Sequence, residues 1–243
     1  MRNLGSVDLV AYLRAFVLLV RHPQIALGPL LAAIVGVLLL MLIPADSGGG
    51  FLASANSGLA GLFAQLISSF GLSVALIVAD AAWRRGRAPF DVAWEESVRK
   101  AGDILIAALG FTFVIYVAGL VGSIIPLFGT IVLALVALFF FIYTLPAAAI
   151  GGIPGSAALQ VSLERARGAV VPTLLVTALY VLTFYVAPTV IEAVLSPLYF
   201  GTAFTSRVVP SLVDALVRAI LSSYFALVLA KTYADISFGR RWS

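Results

Sequence analysis

Two long apolar runs stand back to back in the middle of the chain, and they constrain its fold more than any other feature. They cover about Ile104 to Ile125 and about Leu127 to Ile150, with little more than Pro126 between them. Each run reaches the ~20 apolar residues that an α-helix needs to cross a bilayer. Because so short a connection makes the two helices antiparallel neighbours, the runs predict a transmembrane hairpin.

Four further apolar runs bring the predicted number of transmembrane helices to six. Hydrophobic residues make up 62% of the 243 residues and charged residues only 11%, against roughly half and a quarter in soluble domains. A soluble fold of this size could not bury so much apolar surface, so residues 1–243 are expected to form one integral membrane domain. The other expected spans are about Ile25 to Leu42, Leu59 to Trp83, Val170 to Leu195 and Val209 to Thr232.

Three short amphipathic segments each precede a pair of these runs. They are Ser6 to His22, Pro89 to Asp103 and Ser156 to Ala169. Each combines apolar residues at helical spacing with basic residues, which is typical of a helix that lies in the membrane interface. We therefore predict an all-α, polytopic membrane bundle of six transmembrane helices with three cytoplasmic amphipathic helices. In the first segment the expected apolar side consists of Leu9, Leu13, Phe16, Val17 and Val20.

The same order suggests three units, at about residues 6–83, 89–150 and 156–232, each made of one surface helix and two spans. Arg99-Lys-Ala-Gly102 and Arg165-Ala-Arg-Gly168 occupy matching places at an offset of 66 residues. An ancestral repeat explains this match, and so does the general need for a positive residue at each cytoplasmic helix end. Both explanations stay open.

Basic residues are concentrated on one predicted side of the membrane. With six spans, 13 of the 15 lysine and arginine residues fall on the side of both termini. The positive-inside rule then places the termini in the cytoplasm, here of a bacterial inner membrane. Basic side chains beside the spans are expected to bind anionic lipid headgroups or a membrane-protein partner. This basic rim consists of Arg14, Arg21, Arg84, Arg85, Arg87, Arg99, Lys100, Arg165 and Arg167.

A few ionisable residues fall within the predicted spans and form the candidate polar site. Asp214 and Arg218 stand one helical turn apart on the sixth span, Ser222 extends the same side, and Glu192 lies near the outer end of the fifth. Charges inside a bilayer usually face the bundle interior or a wet cavity, so the group could bind an anionic or zwitterionic group. The alternative, which we favour at this stage, is a local ion pair that only fixes helix register, with Glu192 paired to Arg207.

Two other acidic residues near the cytoplasmic boundary have basic residues four positions away. Asp80 is expected to pair with Arg84, and Asp103 with Arg99. Two prolines inside spans, Pro146 and Pro188, are expected to kink their helices and free backbone carbonyls. On the second span, a small-residue stripe formed by Gly71, Ala75 and Ala79 is expected to face a neighbouring helix.

Motifs of enzymes and cofactor sites are missing from the sequence. Without cysteine and with one histidine, the chain cannot form disulfides, thiolate metal sites or a multi-histidine centre. It contains no H-E-x-x-H, G-x-S-x-G or P-loop motif. We therefore expect no enzymatic activity and no cofactor. The net charge of +4 is assigned to lipid rather than to nucleic acid, because the basic residues sit beside the spans.

Several of these features resemble a known type of protein. They are Arg21-His-Pro23 before the first span, the basic loop after the second, and Leu159-Gln-Val-Ser-Leu-Glu-Arg-Ala-Arg-Gly168 at the start of the fifth. The pattern resembles uncharacterised six-span bacterial membrane proteins, similar to the membrane domain of glycerophosphodiester phosphodiesterases and to the YciC-like group. The resemblance implies a membrane module, and no catalytic residue follows from it.

Two functions are compatible with the sequence. The leading hypothesis is a non-enzymatic accessory or scaffold module whose basic surface helices bind anionic lipid or a partner. The alternative is a small transporter or channel with a polar path around Asp214, Arg218 and Glu192, joined by serines of the second span. Those serines are Ser68, Ser69 and Ser73.

Overall fold

The computed structural model describes residues 9–42, 51–126, 128–196 and 204–238, and these residues form helices and short turns without any strand. The predicted all-α class is therefore confirmed for the described part of the chain. Its helices are α1 Leu9–Arg21, α2 Leu27–Leu42, α3 Phe51–Arg85, α4 Phe90–Arg99, α5 Ala101–Gly122, α6 Gly129–Phe141, α7 Thr144–Ala149, α8 Ala158–Gly168, α9 Val170–Val181, α10 Ala187–Leu195 and α11 Phe204–Phe238.

Five helical stretches of the described chain are long and apolar enough to cross a membrane. A sixth is obtained if α1 and α2, which meet at a bend of 91°, count as one span. This range supports a multi-pass membrane protein, whereas a count of exactly six and a cytoplasmic position for the short helices stay predictions. The five stretches are Ala60–Arg85, Ala101–Gly122, Gly129–Ala149, Val170–Val194 and Leu212–Phe238.

Helix α1 is turned away from α2 by the bend of 91° and packs against α11. Ala15 and Leu19 are buried against the bundle, and the Tyr224 hydroxyl of α11 donates a hydrogen bond of 3.3 Å to the Tyr12 carbonyl. The opposite side of α1 is apolar and exposed, with Leu13 74% accessible. This is the pattern of a helix that lies flat with its apolar face available to lipid.

The contact between α2 and α3 depends on small residues. A Cβ atom placed on Gly71 would lie 2.7 Å from the carbonyl oxygen of Gly28, and one on Gly28 would lie 2.8 Å from that of Gly71. Ala75 and Ala79, further along the same side of α3, are fully buried. The predicted stripe therefore does face neighbouring helices, and it lets two backbones approach closely where lipid provides no hydrophobic driving force.

Several contacts bring the basic segments to the same end of the bundle. Trp83 Nε1 donates a hydrogen bond of 3.0 Å to the Leu227 carbonyl, and the Arg84 guanidinium lies 5.9 Å from the ring centre of Phe238. Arg165 of α8 interacts electrostatically with Tyr233, also on the last turns of α11. The arginines after Trp83 and those of α8 therefore lie at the same end of the bundle.

The regular α-helix stops beside each of the two prolines that were expected to kink a span. Pro146 lacks an N–H and its ring crowds the carbonyl four residues earlier, at Ile142; the α-helix is broken there, between α6 and α7. Pro188 follows a π-helical segment, Leu182–Val186, that separates α9 from α10. Both interruptions free backbone groups that lipid cannot satisfy.

A side chain of α8 provides hydrogen-bond partners for backbone groups at the break between α6 and α7. The Ser162 hydroxyl donates to the Phe140 carbonyl at 2.9 Å and accepts from the Tyr143 N–H at 3.0 Å. Ser162 itself is fully buried. One hydroxyl thus satisfies both a donor and an acceptor that the interruption exposes, and it fastens the short helix α8 to the bundle.

The predicted ion pair between Asp103 and Arg99 is wrong. Asp103 Oδ1 instead accepts a hydrogen bond of 2.9 Å from the Gly155 N–H, and no ion pair joins Asp103 to Arg99 among the described residues. The loop before α8 approaches α5 closely here, since a Cβ on Gly155 would lie 2.9 Å from Ile106 Cβ. A tertiary partner has replaced the local one. The other predicted pair is confirmed, with Arg84 Nε 2.8 Å from Asp80 Oδ1.

Replacing Ser162 with alanine should destabilise the protein by about 1–3 kcal/mol, because it leaves a buried donor and a buried acceptor without partners. The free energy of unfolding in mixed micelles measures this effect. Ser156→Ala is the matched control, since Ser156 lies exposed in the loop before the same helix. Equal stability of the two variants would contradict the role assigned to Ser162.

Candidate binding cavity

A cavity of about 500 Å³ lies within the bundle, between α2, α3, the α9–α10 stretch and α11. This volume is in the range of sites that hold small molecules, roughly 300–1,000 Å³. Most of the wall is apolar, as expected for helices of this composition. The polar part of the lining consists of Gln65, Ser68, Ser69, Tyr180, Thr183, Tyr185, Asp214, Arg218 and Ser222.

An ion pair on α11 provides the charge in this cavity. Arg218 Nε donates to Asp214 Oδ2 at 2.7 Å. Of the four ion pairs within the described residues, this is the one that lines the cavity. The Arg218 side chain is 43% accessible and that of Asp214 25%, so the guanidinium is the more open partner.

The pair does not use all of its hydrogen-bonding capacity. A guanidinium has five N–H donors, of which the Nε donor is engaged with Asp214. No partner occurs for the terminal nitrogens of Arg218 among the described residues. Asp214 Oδ1 is buried and likewise has no hydrogen-bond partner there. Buried carboxylate oxygens are normally satisfied, so this site is incomplete as it stands.

The charged pair lies far from the basic end of the bundle. An α-helix rises about 1.5 Å per residue, so Arg218 is about 30 Å from Phe238 along α11. The cavity reaches towards the basic end as far as Leu145 and Leu229. Beyond Leu229 the helix is tightly packed, with Ala230 and Tyr233 buried. The structure therefore combines a cavity that extends along α11 from Asp214 to Leu229 with a packed layer at the basic end.

The structure brings together part of the predicted polar set. Asp214, Arg218 and Ser222 share the cavity with Ser68 and Ser69 of α3. These two serines come from the path proposed for a transporter, and they line the same cavity as the charged pair.

Two residues of the predicted polar path, Ser73 and Glu192, do not line the cavity. Ser73 is fully buried and donates to the Ser69 carbonyl at 2.9 Å. Glu192 lies exposed on α10, where the cavity lining ends at Pro188, one turn before it. The suggested pairing of Glu192 with Arg207 falls outside the described residues, because the side chain of Arg207 is not among them.

Sequence reasoning missed several residues of the cavity. Gln65 lies three and four positions before Ser68 and Ser69, a polar stripe at helical spacing that could have been recognised. Thr183 belongs to the π-helical segment before Pro188, and π-helical turns are frequent at functional sites. No local pattern identifies the aromatic cluster of Tyr180, Phe184 and Phe225, whose ring centres lie 4.6 to 5.5 Å apart.

Most side chains of the basic rim are exposed and, within the described residues, have no acidic partner one turn away. Arg84 and Lys100 are engaged by acidic residues one turn away, and Lys100 also donates to the Ala149 carbonyl at 2.9 Å. Arg165 is partly covered. The remaining members of the rim are exposed: Arg14, Arg21, Arg85, Arg87, Arg99 and Arg167.

Potential metal ligands do not cluster in the described part of the chain, where no three histidine, cysteine, aspartate or glutamate residues come together. Comparison with family models, with curated proteins and with solved structures gave no match. The resemblance to the phosphodiesterase membrane domain and the YciC-like group accordingly stays a prediction.

Proposed function

We propose that this protein is a small, non-enzymatic membrane transporter that binds its solute in the cavity beside Asp214 and Arg218. One observation carries the proposal: an incompletely satisfied ion pair lines a space of about 500 Å³ inside an otherwise apolar bundle. Charges within a membrane bundle usually mark a solute or ion path. A pair that served only to fix helix register would need neither the cavity nor the facing hydroxyl groups.

The interrupted helix beside the cavity supports the same function. Thr183 and Pro188 both line the cavity, and they bracket the end of the π-helical segment. Single π-helical turns within an α-helix are frequent at functional sites. In the proposed cycle the packed layer between Leu229 and the basic end must open for the solute to pass.

The proposal includes six spans in a bacterial inner membrane with both termini in the cytoplasm. The shared position of the basic segments at one end of the bundle supports this orientation through the positive-inside rule. The cavity then faces the opposite compartment, since Arg218 is about 30 Å from Phe238.

Single-cysteine labelling tests the orientation, because the natural chain has no cysteine. With a membrane-impermeant maleimide on spheroplasts, Ser123→Cys in the turn between α5 and α6 should react, and Arg87→Cys after α3 should react only after lysis. Both positions are exposed, so burial cannot account for a difference. Labelling in the reverse order would contradict the orientation.

Filling the cavity should abolish transport. In proteoliposomes supplied with radiolabelled L-phenylalanine, phosphate or choline, we expect protein-dependent uptake of at least one probe. Ser68→Trp should reduce that uptake at least tenfold, since Ser68 lines the cavity. Leu62→Trp, on an exposed part of the same helix that does not line the cavity, is the matched control. Absence of uptake of all three probes, or equal loss in both variants, would refute the transporter.

A second function is favoured by a separate observation, the exposed apolar side of α1 beside Arg14 and Arg21. We propose that the basic rim binds anionic lipid, with α1 lying in the interface. This retains the lipid-binding part of the accessory or scaffold hypothesis, and a partner protein on the same rim belongs to that hypothesis too.

Native mass spectrometry from mixed micelles tests lipid binding. The protein should retain phosphatidylglycerol in preference to phosphatidylcholine, and the double change Arg14→Ala and Arg21→Ala should remove most of that preference. Each basic residue near an anionic surface contributes about 1 kcal/mol. Gln24→Ala, an exposed neutral position beside α1, should have no effect. An unchanged preference in the double variant would exclude this role for α1.

A further inference from the structure

We infer that the solute of the cavity is a zwitterion, a molecule that carries an anionic group and a neighbouring ammonium group on an apolar body. This inference rests on the proposed function and names the class of ligand that the site would take. It follows from the unused hydrogen-bonding groups of both partners of the ion pair and from the composition of the cavity wall.

Arg218 provides the place for the anionic group. Its terminal nitrogens have no partner among the described residues, and the side chain is 43% accessible and lines the cavity. The planar fork of a guanidinium matches the two oxygens of a carboxylate or phosphate. Ser222, one turn further along α11, is a second polar residue of the cavity lining.

Asp214 provides the place for the ammonium group. Its Oδ2 accepts from Arg218, while Oδ1 is buried without a partner. Asp214 itself lines the cavity, and the terminal torsion of an aspartate side chain is broad, so in this proposal the carboxylate rotates when the ammonium group binds to Oδ1. An ammonium group has three donors and no acceptor, and it would supply what this oxygen lacks.

Charge balance selects a zwitterion over a ligand with a single charge. Arg218 and Asp214 are neutral as a unit, so an anion or a cation alone would leave one net charge in a cavity whose wall is mostly apolar. Such a charge is poorly solvated and costs far more there than in water. A zwitterion keeps the cavity neutral and places each of its charges beside the opposite one.

The remaining wall indicates an apolar body. Tyr180, Phe184 and Phe225 form a cluster of aromatic rings in the lining, and Phe111 and Leu72 add further apolar surface. Two sources share this chemistry: a free amino acid with an apolar side chain, and a lipid with a phosphoethanolamine headgroup.

Calorimetric titration of the purified full chain in a neutral detergent tests the class. The probes are L-phenylalanine, its anionic analogue N-acetyl-L-phenylalanine and its cationic analogue phenethylamine. A second arm compares lysophosphatidylethanolamine with lysophosphatidylglycerol. We expect the zwitterion of at least one arm to bind at least tenfold more tightly than its singly charged analogues, and the arm that does so identifies the source.

Asp214→Asn adds a test of the assigned roles. It should weaken binding of the zwitterion at least tenfold and strengthen binding of the anionic analogue, because Arg218 then lacks its internal counter-charge. Glu96→Gln removes the carboxylate of an ion pair with the same spacing outside the cavity and should leave both affinities unchanged. This comparison of two ligands on one variant does not depend on how much folded protein is recovered.

Several outcomes would overturn the inference. If a singly charged analogue binds as tightly as the zwitterion, the ligand class is wrong while the transporter stands. The same holds if no zwitterion binds although uptake of phosphate or choline remains sensitive to Ser68→Trp. If nothing binds and no probe is taken up, the transporter and the ligand class fail together.

Discussion

A bilayer offers no hydrogen-bond partner to the polypeptide backbone, and most features of this protein follow from that constraint. It explains why the described residues form long helices and why each helix interruption needs an internal partner. At the break before Pro146, that partner is the Ser162 hydroxyl of α8. A short surface helix is thereby coupled to the interior of the bundle, since its position determines whether a buried break is satisfied.

Two groups of charges stand out among the described residues, and the same constraint accounts for their separation. One group gathers at a single end, where Lys100 and Arg84 are held by acidic residues one turn away and many other basic side chains are open. The other is the pair of Asp214 and Arg218, which lies about 30 Å from Phe238. The first group resembles a lipid-facing rim. The second lines a cavity and retains unused hydrogen-bonding groups, which is why the proposed solute site is placed there.

Much of the fold could be predicted because hydrophobic length and helix-breaking residues are local properties. The long helices, an irregularity at Pro146 and at Pro188, and the close contact at Gly71 were all anticipated. The failure at Asp103 shows the limit of such reasoning. An aspartate with an arginine four residues earlier is expected to pair locally, but the Gly155 N–H from a distant loop takes its place.

By itself, the sequence determined the all-helical class, the membrane as solvent and the identity of the charged pair on the last helix, because these depend on composition and on spacing along one helix. Only the tertiary structure decided that Gln65, Ser68 and Thr183 line the same cavity as that pair and that Glu192 does not. Which side of an apolar helix turns inward is weakly encoded when nearly all sides are apolar. Contacts between helices far apart in the chain therefore created the cavity, and with it the incomplete hydrogen bonding on which the proposed function rests.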